Sequence, residues 1–439
     1  MLVDGEHYPP VTRWGIQTAR TMGHEVVEAL LVGGTEKIAA SGLPDLGVPV
    51  GAADGSVAEA LAAAIDRLRP DAVLDLSDEP VLGYRERFEL AAVSLVRGTP
   101  YMGSDFRLDP PIYGPPLPVP TVAVVGTGKR TGKTAVSAEV ARIAAEAGMR
   151  PIIVAMGRGG PPEPQVAEPG SVSVESLLEL VRRGEHAASD YLEDALTTGV
   201  TAIGARRCGG GLAGAPFVTN VREGANLAVE MGAGMVILEG SGSSIPPVPW
   251  DAGILVVPAR VPPEYLGGYL GPFRILLSDL VVVTMAAGPD LGPENLFALR
   301  SHVERLHEDA RFAVTDFQPV PLGDVQEKTV YLSTTAPEQA AARQAAQLEA
   351  AHGCRVIGFT SALADRGRLE RELDEAGEYQ VLLTELKAAA VDVAAERARA
   401  RGAGVVFVDN RPVDTGDAPP LRRQIEETLE LAAARHQRR

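Results

Sequence analysis

Apolar residues along this chain gather into short runs separated by polar, glycine- or proline-bearing turns, and between the runs they recur at helical spacing. In the first hundred residues, 26–32 and 72–76 are largely apolar runs, ending in Gly33-Gly34 and in Ser77-Asp78-Glu79. Between and after them, 57–68 and 85–96 place apolar residues on one face of a helix. Strand, helix, strand, helix predicts a parallel sheet with short crossovers. The run 121–125 (TVAVV) is wholly apolar apart from its first residue, which suits a strand covered on both faces. An Ala/Val/Ile-rich helix is expected over 135–147, and further strands over 151–156, 235–238, 253–257 and 280–285. The last third repeats the pattern, with strands at 329–332, 355–359, 380–383 and 405–408 and helices over 337–351 and 387–401. From Arg422 onward the chain reads as a charged helix free to fray.

One stretch breaks the rhythm. Residues 108–120 (LDPPIYGPPLPVP) hold six prolines in 13 positions. Such a segment neither continues a helix nor donates to a ladder, so it reads as a stiff, extended linker. It closes an N-terminal α/β domain at 1–107.

The chain has 439 residues, more than one ordinary core accommodates. Aromatics are 5 % of it, so Ala, Val, Leu and Ile must build the interior. A formal charge of −17 excludes nonspecific nucleic-acid binding as a function class. A small anionic substrate stays open wherever arginines and lysines cluster. Cys208 and Cys354 are too few and too distant for a disulfide scaffold or a zinc pair, and read as reduced thiols. The first residues lack a basic stretch followed by an apolar one, and the run 275–287 is short and interrupted by Asp279. The expected address is cytoplasmic, with no membrane partner.

The strongest chemical signal is Gly126-Thr127-Gly128-Lys129-Arg130-Thr131-Gly132-Lys133-Thr134. Glycines let successive backbone N–H groups curl around phosphate oxygens. A lysine reaches the β- and γ-phosphates, and a hydroxyl serves Mg²⁺. The usual Gly-x4-Gly-Lys-Thr count misses by one, because Thr127 stands where the first glycine belongs. The longer spacing from Gly126 resembles the loop of dethiobiotin synthetase and of related P-loop ATPases. The cofactors expected are therefore ATP and Mg²⁺. The fold class expected is α/β: a P-loop NTPase-like parallel-sheet domain over 121–320, the smaller N-terminal α/β domain, and an α/β extension over 321–439 that is either separate or continuous with it.

Met235-Val-Ile-Leu-Glu239-Gly240 is an apolar strand ending in an acid beside glycine, which suits a carboxylate offered to Mg²⁺, so Thr134 and Glu239 are the candidate metal residues. Arginines beside glycines, at Gly157-Arg158-Gly159-Gly160 and Arg206-Arg207-Cys-Gly-Gly-Gly211, read as loops suited to clamping phosphate or carboxylate by fork geometry, with Arg222 nearby. In the first domain, His7 and Arg13 are candidate substrate groups.

Taken together, Asp4–Trp14, the 126–134 loop, Met156–Pro164, Arg206–Gly211 and Leu238–Gly242 resemble the cyclic 2,3-diphosphoglycerate synthetase family over nearly the whole chain. The resemblance implies an ATP-dependent closure of 2,3-diphosphoglycerate into a cyclic pyrophosphate, with ADP and phosphate released. Lys133, Lys129 and Arg130 would then act on the transferred phosphoryl group. Arg158, Arg206, Arg207 and Arg222, with His7 and Arg13, would hold the small phosphorylated substrate. Analogy with P-loop enzymes of this class implies a homodimer. Two other readings use the same loop: a dethiobiotin-synthetase-like ligase or small-molecule kinase, and a P-loop nucleotide switch or metal-delivery protein.

Overall fold

The computed structural model describes residues 1–34, 43–53, 55–111, 113–268, 270–287, 292–416 and 419–439. Of the proline-rich linker, Ile112 lies outside them.

The fully apolar runs become the middle of one 13-stranded sheet. From one edge its order is Val218–Thr219, Ala202–Cys208, Pro151–Gly157, Met235–Glu239, Thr121–Gly126, Ala252–Pro258, Leu280–Thr284, Arg311–Pro321, Gly404–Asp414, Val381–Thr384, Thr329–Ser333 and Arg355–Thr360. The remaining strand, Gln165–Ala167, pairs antiparallel beside Ala202–Cys208. Strands from Ala202–Cys208 to Arg311–Pro321 run parallel, and so do the last four. The two parallel blocks join through one antiparallel ribbon, Thr315↔Asp414 to Pro321↔Val408. The C-terminal portion is thus continuous with the sheet that carries the 126–134 loop.

The ribbon also sets where the C-terminal lobe sits. Beyond the last pair with Leu280–Thr284, Phe317 lies against Gly132, and across the ribbon Asp409 accepts from Arg142 Nη1 of helix Lys133–Glu146 at 3.0 Å. The lobe therefore folds back onto the helices on one face of the sheet, where Leu386, Val391 and Phe407 share a core with Val136, Val140 and Leu177. The helix Leu421–Gln437 joins that core through Leu421, Ile425, Leu429 and Ala432. The charged tail expected to fray is docked, because its arginines and glutamates line the outward side while this apolar stripe is buried.

The N-terminal domain covers the opposite face. Its helix Tyr84–Val96 packs on the short helix Gly271–Leu276, and Leu90 and Leu95 share a core with Phe273 and Ile275. Two three-stranded sheets, Leu2–Val3/Ala29–Leu31/Val50–Ala52 and Val73–Leu74/Tyr101–Met102/Arg107–Leu108, are stitched by a parallel bridge from Leu2 to Asp75. That is the doubly wound order, with its switch point between Val3 and Leu74.

Candidate functional site

The loop 127–132 joins strand Thr121–Gly126 to helix Lys133–Glu146. Two of its glycines have distinct reasons to be glycine. Gly132 sits at φ +88°, and a Cβ there would fall 2.3 Å from Phe317 Cζ. At Gly126 a Cβ would meet Lys133 Cδ and Thr131 Oγ1, each at 2.8 Å, so its bareness makes room for the lysine stem. Lys133 is buried and donates from Nζ to the Gly128 carbonyl at 2.7 Å and to Thr131 Oγ1 at 3.3 Å. Burial pushes its ammonium down to about 8, although Glu239 and Asp190 pull the other way. Arg130, exposed at the loop's tip, holds a left-handed backbone at φ +56°, a conformation that costs a non-glycine residue about 1 kcal/mol or more.

Beside the loop lies a pocket of acids. Glu239, 2 % exposed at the end of its strand, accepts from Thr134 Oγ1 at 2.7 Å. Helix Asp190–Thr198 brings Asp190, Glu193 and Asp194, spaced so that all three share a face. Burial raises the carboxyls of Glu239, to about 7, and of Glu193, to about 8, and pushes that of Asp194 well up. Glu239 Oε2, Glu193 Oε2 and both Asp194 oxygens are buried without a donor. Asp194 and Glu239 face each other as acceptors, so a shared proton or a cation has to satisfy them. A cluster of carboxylate oxygens, several of them buried without a protein donor, fits one hard divalent cation.

On the other side of the loop, cations converge. A Cβ on Gly242, at φ +60°, would meet Arg158 Nη2 at 3.2 Å, Arg207 Nη2 at 3.4 Å and Lys129 Cγ at 3.9 Å. Arg207 is buried and fixed by donation to the carbonyls of Ser241 at 2.9 Å and Gly209 at 2.6 Å. Arg274, also buried, donates to the Ser243 carbonyl at 2.6 Å. The glycine-serine turn after Glu239 is thus held by two arginines, and its open side faces Arg158 and Lys129. Such a group of forked donors suits a multiply charged oxyanion.

Models of the cyclic 2,3-diphosphoglycerate synthetase N-terminal, P-loop and C-terminal domains match residues 1–109, 121–315 and 321–411. The cyclic 2,3-diphosphoglycerate synthetase of Rubrobacter xylanophilus is 45 % identical over 418 residues, 94 % of each chain. Those of Methanothermobacter thermautotrophicus and Thermococcus kodakarensis are 43 % and 41 % identical, covering 94 % and 97 % of this chain and 91 % and 97 % of theirs. The chain belongs to the cyclic 2,3-diphosphoglycerate synthetase family. It is accordingly a synthetase with a P-loop nucleotide-binding domain. Among solved structures, LpxK from Aquifex aeolicus in complex with ATP aligns over 72 % of this synthetase and 91 % of itself, at 15 % identity and a TM-score of 0.40, a likeness too loose to bear on activity.

Arg206 and Arg207 lie not on a loop but on strand Ala202–Cys208, so they point to opposite faces. Arg206 donates from Nε to the Gly160 carbonyl at 2.7 Å, bracing the turn that carries Arg158. Arg222 lies over Gly114 of the linker, where a Cβ would come 2.7 Å from its Nη2. Arg13 pairs with Asp45 within the N-terminal domain. His7 sits at that domain's switch point, its Nδ1 2.8 Å from Asp4 and its Nε2 3.4 Å from Asp78.

Sequence reasoning missed Asp190, Glu193, Asp194, Arg274 and Lys387. The acids did carry a signal, since Asp-Tyr-Leu-Glu-Asp puts carboxylates at i, i+3 and i+4 beside residues that head for the core. Arg274 and Lys387 carried none. Among the described residues no helix is long and apolar enough to cross a membrane.

Proposed function

We propose that this synthetase uses ATP to close 2,3-diphosphoglycerate into cyclic 2,3-diphosphoglycerate, releasing ADP and inorganic phosphate. The observation that carries the reading is the convergence of Lys129, Arg158 and Arg207 on Gly242, beside Lys133 and the Thr134–Glu239 pair. The names of the 41–45 % identical relatives support the same substrate.

In the first step an oxygen of one substrate phosphate attacks the γ-phosphorus of ATP, and the bond to the ADP oxygen breaks. In the second, an oxygen of the neighbouring phosphate attacks the phosphorus so activated. The ring P–O–P bond forms, and the former γ-phosphoryl leaves as inorganic phosphate. Neither step needs a protein nucleophile; both need alignment and charge neutralisation. Lys133 and the loop amides hold the β- and γ-phosphates. Lys129 and Arg130, at the loop's outer edge, meet the charge that develops on the transferred group. Arg158 and Arg207 orient the substrate phosphates against each other, which offsets their mutual repulsion. A magnesium ion bound with the nucleotide would supply further neutralisation, held by Thr134, Glu239 and the Asp190–Asp194 face.

The direct test is ADP release from Mg-ATP with and without 2,3-diphosphoglycerate, while phosphorus NMR follows the products. Stimulated turnover with a new cyclic pyrophosphate resonance supports the reading. ATP binding without stimulation would move the reaction to another phosphorylated or carboxylate substrate.

A further inference from the structure

We infer that Lys387, from the C-terminal lobe, is a positioning residue for the metal side of the nucleotide site. The inference rests on the metal reading of the Thr134–Glu239 pocket given above.

Lys387 follows strand Val381–Thr384, and its Nζ lies 3.2 Å from Glu193 Oε1. Two observations say that this pair is directed outward from its own lobe. Glu385, the nearer carboxylate in sequence, is already saturated. It accepts from Thr334 Oγ1 at 2.8 Å, Thr335 N at 3.0 Å, Thr335 Oγ1 at 2.7 Å and Asn410 Nδ2 at 2.9 Å. Glu193, by contrast, pairs with no other cation among the described residues, and its Oε2 is buried without a donor.

What the pair does follows from helix geometry. Asp190, Glu193 and Asp194 occupy one face, where like charges three and four residues apart repel. Left alone, that face would turn from the P-loop. Lys387 Nζ, 3.2 Å from Glu193 Oε1, tethers the middle of that face to the C-terminal lobe and so fixes the rotation of the helix about its axis. Asp194 is thereby held facing Glu239, with both of its oxygens buried and without a protein donor. The C-terminal lobe in this way completes the cation pocket of a loop about 250 residues earlier in the chain. Partners of this supporting kind typically change metal affinity about 10- to 100-fold when removed.

The test is Mn²⁺ affinity of the full-length protein, read by electron paramagnetic resonance in the presence of a non-hydrolysable ATP analogue, alongside thermal melting. Lys387→Met should weaken Mn²⁺ about 10-fold or more well below its melting temperature, and Lys387→Arg should stay within about 3-fold of wild type. Glu193→Gln reads the pair from its other side, and serves also if Lys387→Met folds poorly. The double variant should lose no more than the larger single loss, because the two residues act through one contact. Unchanged Mn²⁺ affinity in Lys387→Met and Glu193→Gln, or fully additive losses, would overturn the inference and leave a structural clamp only. Failure of the wild-type protein to bind Mn²⁺ would instead remove the metal reading itself.

Discussion

Phe317 lies across the face of Gly132, so close that a methyl group on the glycine would fall 2.3 Å from the ring's Cζ. The last glycine of the phosphate loop is therefore fixed from two sides: its own φ of +88°, and an aromatic ring delivered by the strand that leads into the C-terminal lobe. Gly132→Ala should lower stability by about 2–4 kcal/mol, combining overpacking with left-handed strain, and weaken ATP at least about 10-fold. Adding Phe317→Ala should relieve the clash but not the strain, so ATP affinity returns only in part. Calorimetric titration with ATP checks both.

Lys133→Ala should cut product formation by about 10²–10³ or more, since it removes the charge facing the transferred phosphoryl group. Its effect on the ligand-free fold should be small or favourable, because burial already disfavours this ammonium. Phosphorus NMR and a thermal melt together separate the two effects. Near-normal turnover in this variant would rule out the mechanism.

The arginine doublet offers an internal control. Arg207→Ala should raise the KM for the phosphorylated substrate by about 10-fold or more, as loss of a charged hydrogen-bonding group costs about 1.5–3 kcal/mol. Arg206→Ala, on the opposite face, should change it less than about 3-fold, its contact being the Gly160 carbonyl. Steady-state kinetics at saturating ATP decides the matter.

Stability of the ligand-free protein should depend on pH through the acid pocket. Glu239 and Glu193 have carboxyls raised to about 7 and about 8, so the folded state binds more protons than the unfolded one above pH 4.5. Their contribution is complete below pH 4.5 and is lost as pH rises through 7 to 8. Glu239→Gln should flatten the decline between pH 5.5 and 7.5. A series of melts across that interval measures it, and an unchanged slope in the variant would contradict the assignment.

Much of this was legible beforehand, and the exceptions have physical causes. Apolar runs found the parallel strands from 121 to 284 because strands covered on both faces have no polar side to confuse them. Strand Ala202–Cys208 was hidden by its Arg doublet and by Gly204, a glycine demanded by the Tyr191 ring, which sits 2.5 Å from where a Cβ would be. Pro319 and Pro321 disguised Arg311–Pro321, since prolines in a run ordinarily argue against a strand. The helix expected over 387–401 exists only from Ala390, and begins as a wide π-type stretch before Glu396–Ala400. At the site, the loop and Glu239 announced themselves as contiguous motifs. Arg274 and Lys387 reach the same place through tertiary folding alone, and no local pattern encodes that.

Helix Lys133–Glu146 has the sheet on one side, helix Leu421–Gln437 and the ribbon strand Gly404–Asp414 on others, and eight buried residues along its length. Enclosed in this way, its amide hydrogens should exchange with solvent only when the whole nucleotide-binding half unfolds. The strands of the N-terminal domain, two or three residues each, should instead exchange by small local openings. Deuterium uptake would thus divide the chain into a slow body that carries the phosphate loop and a fast N-terminal domain.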